Sequence, residues 1–206
     1  MTEKYSPRYI TSKERLQLWK HLGSRHRLIF EIMYYTGLRL SETLRIQKQH
    51  INQENKTLFV PRQKNKRIVN ELVMIPQPLV KRLFSYVVCF EAEIDSNNDY
   101  IFYSKRNPGH HITLSGISAI FWKAREQAGL WENTVYKVSK NMKKWHRITP
   151  HVHKNASIMK IYSVTKDLRA AQCQGHHMNI QSTMRYLGNP LTDMNLKKEL
   201  AEKWEE

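Results

Sequence analysis

Residues 34–46, YYTGLRLSETLRI, carry the signals that decide how the first part of the chain folds. The preceding residues, SRHRLIFEIMYYTG (24–37), space their apolar side chains at helical intervals, and Gly37 is the residue type that ends a helix in the left-handed conformation. Ser41 can cap a short following helix through SETLRI. Arg39 is therefore expected in a tight corner between two helices.

The segments around this corner show both helical and strand-like patterns. ITSKERLQLWKHLG (10–23) predicts an N-terminal helix that begins with a capping box. TLFVP (57–61) and ELVMIP (71–76) predict two antiparallel strands, joined by the basic loop RQKNKR (62–67).

The rest of the chain returns to helical patterns with one further strand. LVKRLFSYVVCFEAE (79–93) and SGISAIFWKAREQAG (115–129) predict helices, the second capped by Ser115, and YIFYS (100–104) predicts a strand. From Pro150 onward the pattern is helical in short pieces. The expected fold class is α+β, mostly α: one helical domain with a small antiparallel sheet.

The charge balance of the chain points to a polyanionic partner. Lys and Arg number 34 against 18 Asp and Glu, which gives a formal charge of +16 over 206 residues. Such an excess repels itself in a folded protein and is tolerated most readily where a polyanion screens it, so nucleic acid is the first expected partner. A merely basic soluble protein is the alternative.

The cysteines and the apolar runs indicate an intracellular protein. Cys89 and Cys173 do not have the spacing of a zinc site and suggest a reducing compartment. The opening MTEKYSPRYI (1–10) is polar, and the apolar run YVVCF (86–90) is far too short to cross a bilayer. We therefore expect a soluble protein of the cytoplasm or the nucleoid.

One segment concentrates positive charge without acidic neighbours. WENTVYKVSKNMKKWHRITP (131–150) has no acid after its second residue. It is either a solvated basic loop or an insertion that contacts phosphates. The candidate DNA-binding residues are Lys140, Lys143, Lys144 and Arg147.

Two further stretches hold residues that can do chemistry. In TPHVHKNASIMK (149–160), His151 and Lys154 are three residues apart and share one helix face. In GHHMNIQSTMRYLG (175–188), two adjacent histidines precede Tyr186. Each motif alone is weak, because a His–Lys pair is common on a surface and a tyrosine is common in a core.

Together with Arg39 and the basic hairpin, these motifs form a cationic set plus a hydroxyl group. Fixed cations can neutralise the negative charge that a phosphoryl transition state spreads over its oxygens. A tyrosine can attack phosphorus covalently once its proton is removed, and a hairpin lysine can protonate the leaving 5′ oxygen. The set therefore fits attack on a phosphodiester, with no metal or cofactor expected.

In order and spacing, YYTGLRLSETLRI, the basic hairpin, TPHVHKNAS (149–157) and GHHMNIQSTMRYLG resemble the catalytic domain of the tyrosine recombinases, the family of phage integrases and Xer-type proteins. The resemblance extends from about residue 9 to 188. It implies a site-specific DNA recombinase that cleaves and rejoins strands through a 3′-phosphotyrosine intermediate. The implied partners are double-stranded DNA and other copies of the chain, in a dimer or tetramer synapse on DNA. A catalytically impaired DNA-binding relative and a type IB topoisomerase-like nicking and religating enzyme are the alternatives.

The resemblance also implies a role for individual residues. These are Arg39 as the first catalytic arginine, Glu42 as its acidic support, Lys64 or alternatively Lys66 as the hairpin lysine, His151 as the histidine of the His-x-x-Arg box, and Tyr186 as the nucleophile.

The two adjacent histidines compete for one role in this family pattern. The family histidine usually precedes the tyrosine by nine residues, which selects His177, whereas the usual Leu-Gly-His wording favours His176. Spacing governs reach, so we take His177 as the catalytic residue and His176 as the alternate. A metal site at this histidine pair is disfavoured, because the sequence offers no second convincing set of ligands for it.

Two departures from the family pattern matter. Lys154 stands where the family has its second arginine, and lysine supplies charge without the bidentate fork, so the site is expected to be weakened, altered or impaired. The family's N-terminal helical domain is expected to be absent, since residues 1–10 suit only a remnant or a linker. The chain is then an isolated catalytic fragment or a short natural form.

Residues 190–206 predict a C-terminal helix that packs either on its own domain or on a neighbouring protomer.

Overall fold

The computed structural model describes residues 10–64, 67–130, 133–138, 141–146 and 148–187, with backbone only for 61–64, 67–70, 133–138, 141–146 and 185–187. The fold is α+β and mostly helical, as the sequence predicts. The helices are α1 (Ser12–Lys20), α2 (Ser24–Thr36), α3 (Leu40–Leu44), α4 (Gln77–Cys89), α5 (Glu91–Asp95), α6 (Leu114–Gln127), α7 (Val152–Thr165), α8 (Leu168–Gly175) and α9 (Ile180–Leu187), with one 3-10 turn at Lys48–His50. The strands are β1 (Ile51–Asn52), β2 (Thr57–Lys64), β3 (Arg67–Met74), β4 (Asn133–Val138) and β5 (Asn141–His146).

The corner between α2 and α3 forms where the sequence predicts it, but with a different cap. Gly37 ends α2 at φ 70°, and a Cβ there would lie 1.9 Å from the Gln174 carbonyl oxygen, so the position requires glycine. The residue that caps α3 is Arg39 rather than Ser41, because the Glu42 carboxylate, at the third helical position, accepts the Arg39 N–H at 2.7 Å. This carboxylate satisfies the backbone N–H of the cap residue itself, which is the half of a capping box that the third helical residue contributes.

The predicted hairpin is present and is longer than its apolar residues suggested. β1, β2 and β3 form an antiparallel sheet in that order. The β2–β3 ladder runs from Thr57↔Met74 through Val60↔Glu71 to Lys64↔Arg67, so most of the predicted basic loop is strand. The hydrogen bonds of the ladder come from backbone groups, so the pairing continues past the apolar residues into the basic ones.

The core lies where α1, α2, α6 and α7 meet. Phe30 on α2 contacts Phe121 on α6, with ring centroids 5.1 Å apart, and His153 on α7, at 4.9 Å. Trp19 on α1 donates its indole N–H to His153 Nε2 at 3.2 Å, and His153 Nδ1 lies 3.3 Å from the Pro150 carbonyl oxygen. The imidazole therefore accepts at Nε2 and donates at Nδ1, which is the neutral form, and it fixes the start of α7 against α1.

Two local predictions were wrong, and the structure adds a hairpin that was not predicted from the sequence. Residues 100–104 form two isolated bridges instead of a strand: Tyr100 pairs with Gln47 and Tyr103 with His111, so no continuous ladder forms. Thr113 caps α6 instead of Ser115, since its hydroxyl oxygen accepts the Gly116 N–H at 3.1 Å. The basic segment, for which a solvated loop and a phosphate-contacting insertion were both left open, contains the antiparallel hairpin β4–β5. Val135, Tyr136 and Val138 favour strand at this place despite the lysines.

Within the described ranges, no helix is long and apolar enough to cross a membrane. Cys89 and Cys173 are exposed thiols that form no disulfide. The predicted C-terminal helix of residues 190–206 lies outside the described residues, as do residues 1–9.

Candidate active site

Arg39 lies at the start of α3, and Glu42 holds its side chain in place. Its guanidinium Nη1 is 3.0 Å from Glu42 Oε1, while Glu42 Oε2 accepts the Arg39 backbone N–H. The arginine side chain is 51% exposed and that of Glu42 only 12%. The carboxylate therefore orients the guanidinium and leaves part of it open to an incoming anion.

Lys154 lies beneath this corner and is almost wholly buried. It is 1% exposed, and its Nζ donates to the Gly37 carbonyl at 2.5 Å and to the Gly175 carbonyl at 2.6 Å. These oxygens belong to the C-terminal ends of α2 and α8, where a helix leaves carbonyls without intrahelical partners. Lys154 is thus not an ordinary surface lysine: it joins three helices at the candidate site.

His151 stands at the N-terminal end of α7, exposed and close to Arg39 and Lys154. The surrounding protein desolvates the ring in part although some of its surface is open to solvent, and this desolvation, followed by the charges of Lys154 and Arg39, lowers the pKa of His151 to about 4. The imidazole is therefore neutral at pH 7 and able to accept a proton.

His177 follows α8 and is subject to the same charges. Its Nδ1 lies 2.9 Å from the hydroxyl oxygen of Thr183, a fully buried residue of α9. Burial first, and then the charges of Lys154, Arg39, His151 and His176, lower the pKa of His177 to about 4. Thr183 can donate to Nδ1 of the neutral ring, and Nε2 then carries the proton.

His176 faces different groups from His177. Its side chain is 6% exposed, with Nδ1 2.6 Å from Glu71 Oε1 on β3 and Nε2 2.8 Å from the Thr36 carbonyl oxygen on α2. The ring thus spans from the hairpin to the end of α2.

Tyr186 lies in α9, one turn beyond Thr183. The helix begins after a turn in which the Asn179 side chain accepts the Gln181 N–H at 2.9 Å. Tyr186 therefore lies on the same helix as Thr183, the residue that contacts His177. The Tyr186 side chain lies outside the described residues.

The remaining predicted residues are located by backbone alone or not at all. Lys64 ends β2, paired with Arg67, and Lys143 and Lys144 lie in β5. Lys66, Lys140 and Arg147 lie outside the described residues.

Sequence reasoning missed the polar side chains that hold the site together. Gln174 Nε2 donates to the Tyr35 carbonyl at 2.9 Å and to Ser157 Oγ at 2.6 Å, which joins α8 to α2 and α7. Glu71 and Thr183 were also missed. Thr183 could have been found from its spacing, three residues before Tyr186 on one helix face, but nothing local marks Glu71.

Among the described residues, no group of three or more His, Cys, Asp or Glu side chains could hold a metal ion. The site's donors are instead cationic or neutral nitrogen groups, which suit an anion. Arrangements of this kind can bind a phosphodiester and stabilise added negative charge on it.

The chain belongs to the phage integrase family, whose family model matches residues 8–190. It is 24% identical to the tyrosine recombinase XerC of Staphylococcus saprophyticus, over 95% of this chain and 61% of that protein. A XerC of Staphylococcus epidermidis is also 24% identical, over 89% of this chain and 58% of that protein. The chain thus spans about three fifths of the length of these curated relatives.

Solved structures have the same fold. The crystal structure of XerA recombinase superposes with a TM-score of 0.73 at 21% identity, covering 98% of this chain and 65% of that one. The XerH site-specific recombinase, bound to palindromic difH substrate in a post-cleavage complex, gives 0.67 at 19% identity, over 97% and 54% of the two chains.

Proposed function

We propose that this chain is the catalytic domain of a site-specific DNA recombinase, an integrase that cleaves and rejoins strands through a 3′-phosphotyrosine intermediate. The observation that carries the proposal is the convergence of Arg39, His151, Lys154 and His177 on the corner after α2, on the helical fold of the phage integrase family. Three helix ends bring these groups together, although they are far apart in sequence.

The neutral histidines have distinct roles in the proposed reaction. His151, exposed and neutral at pH 7, accepts the proton of the attacking tyrosine hydroxyl. His177, oriented by Thr183, donates from Nε2 to a non-bridging phosphate oxygen. This is the role for which the two adjacent histidines compete in the family pattern. The contacts of His176 with Glu71 and Thr36 support its assignment as the alternate.

The covalent step exchanges one phosphoester for another. The Tyr186 oxygen attacks phosphorus, the bond from phosphorus to the 5′ oxygen breaks, and Lys64, or alternatively Lys66, protonates that oxygen. Arg39 and Lys154 offset the charge that develops on the phosphoryl oxygens. Attack of a 5′-hydroxyl from another strand reverses the step, so the reaction needs no ATP and no metal.

The proposed substrate is double-stranded DNA inside the cell, bound by copies of this chain in a dimer or tetramer synapse. The formal charge of +16 supports a polyanionic substrate. We assign Lys140, Lys143, Lys144 and Arg147 to phosphate contacts, and residues 1–206 to one catalytic domain. Exchange of strands between two DNA sites requires more than one nucleophile, which is why we propose a synapse.

A nicked suicide duplex tests the nucleophile. The parent protein should form a covalent adduct on a denaturing gel, and Tyr186→Phe should form none, because only the phenolic oxygen can make the bond. Tyr162→Phe, on the partly buried face of α7, is the matched control and should form adduct like the parent. An adduct that persists in Tyr186→Phe would show that another residue is the nucleophile.

Paired assays separate recombination from its alternatives. A recombinase joins strands from two DNA sites, whereas a type IB topoisomerase-like enzyme relaxes a supercoil without joining sites. A DNA-binding relative that has lost cleavage would shift duplex in a gel and give no adduct.

A further inference from the structure

His176 makes contacts that the proposed chemistry does not use. Its imidazole lies between Glu71 on β3, at 2.6 Å, and the Thr36 carbonyl on α2, at 2.8 Å. The backbone at His176 has φ 53°, a left-handed conformation that a histidine adopts at some cost. A side chain buried to 6% exposure in this conformation indicates that its contacts offset that cost.

The two contacts together require one proton more than a neutral imidazole and a carboxylate carry. A backbone carbonyl only accepts, so Nε2 must donate to Thr36. A second proton must then lie between Nδ1 and the Glu71 carboxylate, whichever of the two atoms holds it more tightly. The link is therefore a charge-assisted hydrogen bond, which is stronger than a neutral one.

Further polar groups lie beside this link. Arg169 and Cys173 on α8 and His177 line the adjoining open cleft, of about 460 Å³, together with Glu71 and His176. Arg169 is a cation and cannot accept a proton, and His177 Nδ1 bonds the Thr183 hydroxyl.

Through His176, this link connects the β2–β3 hairpin to the C-terminal end of α2 at the candidate site. Glu71 pairs with Val60, and the ladder continues four pairs further to Lys64↔Arg67. At a rise of about 3.3 Å per residue, the end of the hairpin lies roughly 13 Å from Glu71. A rotation of the hairpin by about 10° at Glu71 would therefore move its end by roughly 2 Å. Displacements of that size matter, because misplacing a catalytic group by about 1 Å can cost on the order of 10²-fold in rate.

We propose that His176 is a positioning residue that clamps the hairpin through Glu71 and so holds the hairpin lysine at the leaving 5′ oxygen. The inference rests on the proposed function, and it goes beyond that function by giving the adjacent histidines separate tasks. His177 contacts the phosphate, whereas His176 sets where the general acid arrives.

Hydrogen exchange in the free protein tests the clamp without any activity. His176→Asn suits the left-handed backbone but cannot span both contacts, and Glu71→Gln removes the charge from the other side. Each should speed exchange of the β3 amides about tenfold or more, the change expected when a charge-assisted hydrogen bond is lost. The double variant should exchange no faster than either single variant. His110→Asn, at an exposed position, is the matched control and should leave β3 unchanged.

Cleavage of two substrates then tests positioning. On an ordinary suicide duplex, His176→Asn should cleave on the order of 10- to 100-fold more slowly than the parent. On a duplex with sulfur at the bridging 5′ position, a leaving group that needs no acid, the defect should largely disappear. Lys64→Ala should show the same rescue and serves as the reference.

The outcomes are distinguishable. Unchanged β3 exchange in both single variants overturns the clamp. Equal slowing on the oxygen and sulfur substrates overturns the positioning role, because a general loss of structure would slow both. If the parent forms no adduct on either substrate, the proposed function fails and the positioning role fails with it, while faster β3 exchange would still establish the structural link.

Discussion

The ammonium nitrogen of Lys154 lies 2.5 Å from the carbonyl oxygen of Gly37, two residues before Arg39. The same nitrogen donates to Gly175, two residues before His177. One buried cation thus fixes the chain just ahead of two candidate catalytic residues. A compact ammonium with three rotatable donors suits two carbonyls that approach from different directions, which the planar fork of arginine does less well.

Lys154→Met should lose both stability and cleavage, while DNA binding changes little. Methionine fills similar volume but leaves two buried carbonyls without this donor, at a cost of about 1–3 kcal/mol each in the free energy of unfolding. Loss of one preorganised cation should slow cleavage by roughly 10²- to 10³-fold. Urea unfolding and single-turnover cleavage, measured well below the lowered Tm, check the two effects separately. Cleavage at the parent rate would remove Lys154 from the chemistry.

Lys154→Arg separates the charge from the shape of the pocket. Arginine preserves the charge but needs room for a planar group in a site where lysine is 1% exposed. We expect reduced stability and slower cleavage than the parent, because the pocket is built around the smaller ammonium. Activity at or above the parent rate would instead show that the pocket accepts the family's usual residue.

His151 and His177 should remain neutral in the free protein until well below pH 6. Burial and the nearby cations hold the pKa of each near 4, so protonation begins only as the pH approaches that value. Bound duplex brings negative phosphate to the site and should raise the pKa of both rings. Lys154→Met should raise them without DNA, since Lys154 is the largest charge effect on each. Titration of the ring resonances by NMR measures these midpoints, and values near 6.5 in the free protein would contradict the prediction.

His153 should make the fold sensitive to acid. Its pKa is lowered to about 3 by complete burial, so the folded ring stays neutral while the unfolded ring gains a proton below about pH 6.5. Stability from this group is therefore complete above pH 6.5 and lost as the pH falls toward 3. The slope reaches about 1.4 kcal/mol per pH unit, or roughly 2 kcal/mol between pH 6.5 and 5.

His153→Leu removes this titration. Its free energy of unfolding should be lower at pH 7, because the Trp19 hydrogen bond is lost, but should fall by roughly 2 kcal/mol less than the parent's between pH 6.5 and 5. His110→Leu, at an exposed site, should keep the parent's pH dependence. Parallel curves for parent and His153→Leu in urea unfolding would contradict the assignment.

The sequence predicted features that depend on near neighbours in the chain and missed those that depend on distant ones. Gly37 ends α2 as predicted, because a glycine after an amphipathic run is a local signal. The buried position of Lys154 was not predictable, since its carbonyl partners belong to residues 117 and 21 positions away. Glu71 was missed for the same reason, because its partner His176 is 105 positions away. The β4–β5 hairpin was missed because charge was weighed above the β-branched and aromatic residues beside it.

The β4–β5 hairpin should contribute to the salt dependence of DNA binding. Each phosphate neutralised by a lysine releases counterions and adds about 0.9 to the slope of log affinity against log salt. Replacing Lys140, Lys143 and Lys144 with alanine should therefore flatten the slope for non-specific duplex by up to about 2.7 if all three contact phosphate.

A control with the same loss of charge separates contact from net charge. Lys13, Lys20 and Lys81 are exposed on α1 and α4, and replacing these three with alanine removes the same charge away from the hairpin. Because counterions are released only where cations meet phosphates, this control should keep nearly the parent slope. Equal flattening in both triple variants would mean that overall charge, rather than the hairpin, governs affinity. An unchanged slope in the hairpin variant would leave these lysines solvated, without affecting the assignments of Arg39 and Tyr186.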